Sequence, residues 1–213
     1  MKSDVRIHKV VTSNEINIMR KLCRENISEE DVFAFTIRVC DNAIDKDGER
    51  LSVSALYQIA EMLYGKTGII SDKSIYDKDV IARIYQANVC CDYDKKTTIG
   101  EDYQYVEAKA FIIYNDNTKA ICQMIQSEQI QEVSIGCAVA THKKRVSPDY
   151  GEYTELRDVT EVYEWAFVTP TKMSSEEYNY NEYDRGWNDG YKKGVQDSIN
   201  RIKGLDNTKE YEQ

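Results

Sequence analysis

Three observations predict an α+β fold for this chain. Phe33, Phe35, Ile37 and Val39 alternate with Ala34, Thr36 and Arg38, the period of a strand with one buried face. Leu56, Ile59, Ala60 and Leu63 fall on one face of a helix. Val80 to Cys91 and Tyr103 to Tyr114 are rich in β-branched and aromatic residues and flank the polar segment Asp92 to Asp102, which predicts a hairpin with a long loop.

The elements follow in order. Residues 1–31 are polar, with a short helical pattern at Ile16, Met19 and Leu22, and are expected to be a loosely attached leader. After the strand at 33–39, Asp41-Asn42 and Asp45-Lys46-Asp47-Gly48 have turn chemistry: Asp and Asn bond the local backbone and Gly supplies positive φ. The Asp-rich loop lacks the twelve-position ligand pattern of a calcium hand. Ser52 or Ser54 caps the next helix, and Gly65 stands where a helix end favours glycine. Ala120, Ile121, Met124 and Ile125 predict a second helix over 118–129, followed by a strand over 132–140. His142 to Arg157 reads as a polar surface loop. Val159 to Val168 reads as a strand, with Val162, Glu164 and Ala166 on one face and Tyr163, Trp165 and Phe167 on the other. From Ser174 the composition changes: Tyr183, Trp187, Tyr191 and Val195 would form one helical stripe and Gly186, Gly190 and Gly194 a second. Each glycine costs an isolated helix about 1 kcal/mol, so this segment is either a helical tail needing a partner surface or a weakly ordered one.

Composition bounds the function. At 213 residues, one domain plus a tail is expected. The 28 basic and 37 acidic residues give a net charge of -9, which argues against a general nucleic-acid binder. Six cysteines, widely spaced but for adjacent Cys90 and Cys91 and with no C-x-x-C pair, argue against a zinc ribbon or a small disulfide scaffold. With no signal-peptide pattern and no apolar run of bilayer length, a reduced, cytosolic protein without a membrane partner is expected. There is no Gly-rich phosphate loop and no histidine-carboxylate ligand set, so no cofactor or metal is expected.

The stretch Gln131-Glu132-Val133-Ser134-Ile135-Gly136-Cys137 carries the candidate chemistry. A serine hydroxyl becomes a nucleophile only when a base within hydrogen-bond reach takes its proton. Gly136 would let a substrate backbone or an oxyanion come close. Most strand serines are merely packed or solvated, so this stretch nominates Ser134 without assigning it.

Several ordered motifs add to it: Val39-Cys40-Asp41-Asn42, Asp45 to Ser52, Gly65-Lys66-Thr67-Gly68-Ile69, Ala82-Arg83-Ile84, Glu132 to Cys137, and Tyr163-Glu164-Trp165-Ala166-Phe167-Val168. Together they resemble the prohead maturation proteases of tailed bacteriophages, in the form found in phages of Firmicutes, over residues 32–172. The resemblance implies a compact, mainly antiparallel β-barrel-like sheet flanked by helices and a serine endopeptidase of the assemblin type. Such an enzyme acts in the host cytoplasm inside the immature virion shell. Its partners would be capsid and scaffold proteins, with self-association a further expectation. The resemblance places the nucleophile at Ser134. Backbone N–H groups near Gly136 would form the oxyanion hole, and Glu164 is the candidate third member that orients the base.

One position departs from the family pattern. A histidine is expected a few residues after Gly-Lys-Thr-Gly-Ile, in an Asp-His-Ser context, and this chain has Lys73 there, between Asp72 and Ser74. Three readings are open. An ordinary lysine, with pKa about 10.4, stays protonated at neutral pH and leaves the site dead. A lysine depressed by burial would serve as base in a Ser-Lys dyad. A histidine could come from elsewhere, but His142 lies about 27 Å from Ser134 along a continuous strand at roughly 3.3 Å per residue, and His8 is in the leader.

Overall fold

The structure, a computed structural model, describes residues 5–7, 11–70 and 80–168, all within a compact unit spanning Met1–Met173. The aromatic and glycine-rich tail, Lys73 and His8 lie outside the described residues. Within them the chain is α+β, with eight strands in one mostly antiparallel sheet and three α-helices.

The strands are β1 (Arg6–Ile7), β2 (Val32–Asp41), β3 (Glu49–Leu51), β4 (Thr67–Ile70), β5 (Ala82–Lys96), β6 (Asp102–Ile113), β7 (Glu132–Ser147) and β8 (Gly151–Val168). Their order is β1-β2-β6-β5-β4-β8-β3, with β7 on the other edge of β8. The sheet is therefore open, and the barrel-like expectation is corrected to a sheet that does not close. β3 and β4 pair in parallel with β8, and every other pairing is antiparallel.

One face of the sheet buries the main core. Phe35, Ile37, Ile84, Ile112, Val162, Trp165 and Phe167 pack there with Leu56 and Ile59 of α2 (Val53–Met62), Leu63 at its C-terminal end, and Ile121 and Ile125 of α3 (Lys119–Gln126). Ser52 is the cap of α2, its Oγ accepting from the Ala55 N–H at 3.2 Å. Gly65 adopts φ 77° just past that helix, as its place in the sequence predicts.

The other face is covered in part by α1 (Ser13–Cys23), whose Ile16 and Met19 pack with Ala34, Tyr85 and Phe111. This helix is anchored, contrary to the loosely attached leader expected. Lys109 Nζ lies 2.9 Å from Glu15, the Arg83 guanidinium donates to the Leu22 carbonyl at 3.2 Å, and Met19 is fully buried. Burial alone would raise the Glu15 pKa. The Thr12 backbone N–H, the Lys109 ammonium and the Thr12 hydroxyl outweigh it and bring the carboxyl down to about 2.

Two stretches that read as loops are strands. β5 and β6 run out to Lys96 and Asp102, which pair across the turn, so the expected long loop shrinks to a short one. The polar segment 142–157 forms the outer half of the β7–β8 hairpin. Its strands pair through the backbone, and charged side chains take the place of apolar packing: Arg145 of β7 reaches across to Glu155 of β8 at 3.1 Å, and Arg157 on the same strand donates to Glu155 at 2.6 Å. Hydrophobic alternation is the usual strand signal, and ion-paired strands lack it. The loop at 45–49 is a turn. The Asp45 carboxylate accepts from the backbone N–H groups of Asp47 and Glu49, each at 2.9 Å, and Gly48 takes φ 74°.

β4 packs closely against β8. A Cβ built on Gly68 would clash with the indole of Trp165, which is fully buried. Gly68→Ala is expected to destabilise the fold by about 3 kcal/mol, the upper range for overpacking a core, measured by urea unfolding. A second expectation follows from Glu15. Its folded pKa is depressed, so its stabilisation is complete above its unfolded value near 4.5 and is lost as pH falls toward about 2. The stability gap between wild type and Glu15→Gln should therefore be constant at neutral pH and narrow through that acid window.

Candidate functional site

Ser134 lies early in β7, opposite Ala166 of β8, and Ala166 is in turn level with Ile69 of β4. Val133 and Ile135, its neighbours in sequence, turn into the main core with Trp165 and Phe167. Strand alternation then points Ser134 to the opposite face, where it is exposed. Among the described residues none hydrogen-bonds its hydroxyl.

Gly136 shares that face, two residues along, opposite Glu164. A Cβ built on Gly136 would meet Glu164 Cγ at 4.0 Å, so the half-buried Glu164 side chain stands beside it on the Ser134 face. Ser134 and Glu164 are diagonal cross-strand neighbours, a relation that puts Cα atoms about 7–8 Å apart. The structure thus brings three of the four nominated residues, Ser134, Gly136 and Glu164, onto one face of the β7–β8 hairpin. The fourth, Lys73, falls in the interval 71–79 that follows β4, outside the described residues.

His142 is not brought to the site. β7 runs without a break in its own chain from Glu132 to Ser147, and His142 sits opposite Leu156 in the outer half of the hairpin. Eight residues of extended strand at roughly 3.3 Å each separate it from Ser134.

One site feature departs from the alternation expected for β8. Opposite the single step from Gly136 to Cys137, β8 advances from Glu164 to Val162 and leaves Tyr163 as an extra residue; a second irregularity lies opposite Ala138 and Val139. These bulges turn Val162 and Val159 into the core beside Trp165, with exposures of 0% and 3%, and turn Tyr163 out to 45%. Val162 is therefore not on the Glu164 face, and Tyr163 is not on the Trp165 face. The Tyr163 ring instead approaches to 3.9 Å of the Cβ position on Gly136. Sequence periodicity cannot register a bulge, because a bulge resets the period at a residue of no special type.

The six cysteines are free thiols. Burial raises Cys137, next in the chain to Gly136, and raises buried Cys40 further, with Asp41 and Cys137 adding to it. Both are thiols at neutral pH rather than competing nucleophiles. Among the described residues no group of three or more His, Cys, Asp or Glu side chains is placed to hold a metal ion, and no helix is long and apolar enough to cross a membrane.

A scan against protein-family models gives no match, and neither the curated proteins nor the solved structures searched contain a match to this chain.

Gly136 has no steric obligation in the fold, since the nearest atoms to an added Cβ lie at 3.8 Å or beyond. Gly136→Ala is expected to change stability by less than about 0.5 kcal/mol, as for a substitution that meets no clash. Thermal unfolding of Gly136→Ala beside Gly68→Ala checks this, and a large loss in both would contradict it.

Proposed function

We propose that this chain is a prohead protease-like protein of capsid assembly and maturation, a serine endopeptidase that cuts capsid or scaffold extensions through Ser134. The observation that carries the reading is the placement of Ser134. It stands exposed on the sheet face away from the main core, with Glu132 and Gly136 two residues to either side along β7, Ala166 across on β8 and Glu164 on the diagonal. The ordered motifs of the sequence fall on the elements that build this place: Gly65 to Ile69 on β4 and the turn before it, Glu132 to Cys137 on β7, and Tyr163 to Val168 on β8.

The chemistry this placement serves is acyl transfer. Ser134 Oγ gives its proton to a base and attacks the peptide carbonyl. The carbonyl oxygen takes the negative charge and is held by backbone N–H groups near Gly136. Collapse breaks the C–N bond, the base returns the proton to the leaving amine, and water hydrolyses the serine ester. The base is the demanding part. Lys73 serves only if desolvation depresses its pKa by several units, and Glu164 would then orient it.

Lysine in the histidine position favours a second reading, a pseudoprotease that keeps the fold as an assembly part. The two readings separate on one series. With an active dyad, co-expression with the cognate capsid protein yields a processed product, Ser134→Ala abolishes it, and the rate climbs with pH as Lys73 deprotonates. Equal processing by wild type and Ser134→Ala would remove Ser134 from the mechanism. With a pseudoprotease, wild type shows no turnover. Lys73→His, which supplies a base of pKa about 6.5, should then create cleavage at neutral pH, by a factor of about 10² or more. Silence of Lys73→His in an intact fold would contradict Ser134 as a latent nucleophile.

A further inference from the structure

The bulge in β8 has a product that the reading above does not use. It turns Tyr163 out of the core face, leaves it 45% exposed, and sets its ring 3.9 Å from the space above Gly136. Bulges recur beside active sites, where they re-aim a side chain. Gly136 supplies a second, independent observation. Its backbone has no positive φ, and an added Cβ would meet only ordinary contacts, the nearest at 3.8 Å. The fold therefore has no need of glycine there. A glycine inside a strand weakens it, and often marks a place where a ligand or another backbone comes close.

We propose that the niche above Gly136, walled by the Tyr163 ring, is a substrate subsite that receives an apolar side chain of the peptide beside the bond to be cut. This rests on the endopeptidase reading for its substrate, though the niche itself stands on geometry. Gly136 is two residues from Ser134 on one strand face, a spacing of about 6.7 Å. That is the reach of one or two residues of an extended peptide lying over β7. The floor is Gly136, with Ala166 across from Ser134, and Glu164 opposite Gly136 borders the niche, its Cγ 4.0 Å from the added Cβ position. The ring is the large apolar surface beside it, and an aromatic face buries area well against an aliphatic or aromatic partner. Tyr163 touches substrate in this scheme but transfers no proton, so it sets specificity and position.

The test uses the full chain in a Ser134→Ala background, so that binding is read without turnover. Overlapping synthetic peptides tiling the cognate capsid and scaffold proteins are the probes. The expected result is binding of peptides that share an apolar residue near one position. Tyr163→Ala should weaken this binding about tenfold, the scale of an interface anchor, while Tyr163→Phe retains it. Gly136→Val, which fills the niche against the ring while keeping Tyr163, should weaken it as well, with thermal unfolding verifying each fold. Unchanged affinity in both Tyr163→Ala and Gly136→Val overturns the proposal. So does a Tyr163-dependent preference for basic or acidic residues in place of apolar ones, or the absence of any bound peptide. Failure of the protease reading is separately visible: Tyr163-dependent binding without cleavage by the Ser134 protein removes the activity and leaves the subsite standing.

Discussion

The seating of Trp165 against Gly68 is the contact on which the rest of this structure depends. The indole is fully buried and occupies the space where any side chain on residue 68 would lie. Its Nε1 donates to the Lys66 carbonyl at 3.4 Å, and its ring meets Phe167 edge-on at 4.9 Å and Phe35 at 6.4 Å. A shift of one residue between β4 and β8 would drive the indole into a side chain and turn Phe167 out of the core, since the strand period is two. The register of β8 against β4 is fixed at this contact. β7 is set against β8 by their own hairpin pairing, which places Ser134 opposite Ala166 and Gly136 opposite Glu164.

The aromatic core and the outer-face site are thus two sides of one strand pair. Val133, Ile135, Trp165 and Phe167 supply the packing that holds the backbone, and the residues between them face the other side, Ser134 exposed and Ala166 buried. A rigid strand pair is a better platform for a reacting serine than a loop, since position follows from backbone register rather than from side-chain ordering. The bulge at Tyr163 interrupts the pairing one residue past Glu164. It leaves the Ser134 end of the pair regular and gives the adjoining stretch an exposed ring.

Much of this was legible in the sequence. The strand at Phe33 to Val39, the α2 face of Leu56, Ile59 and Leu63, the Ser52 cap and the strand carrying Ser134 follow from local periodicity and turn chemistry, and appear where those place them. What was not legible has physical reasons. The parallel pairings of β3 and β4 with β8 join residues about a hundred positions apart and leave no local trace. The outer β7–β8 hairpin carries Glu155 with Arg145 and Arg157 in place of an apolar stripe, a polar pattern that reads as a loop. The anchoring of α1 depends on Glu15 meeting Lys109 and Tyr85, partners distant in sequence. The bulge that exposes Tyr163 has no compositional mark. For the site, residue types nominated Ser134 and Gly136, the resemblance added Glu164, and the sheet register is what sets the three on one face.

The central claim is that Ser134 is a nucleophile on an open strand face. The most direct measurement is reaction of the full chain with a serine-directed phosphonate across a pH series, followed by intact-mass and peptide mapping. The account predicts a single adduct, on Ser134, forming faster as pH rises and the lysine base loses its proton. No adduct at any pH, or the same adduct on Ser134→Ala protein, would contradict it.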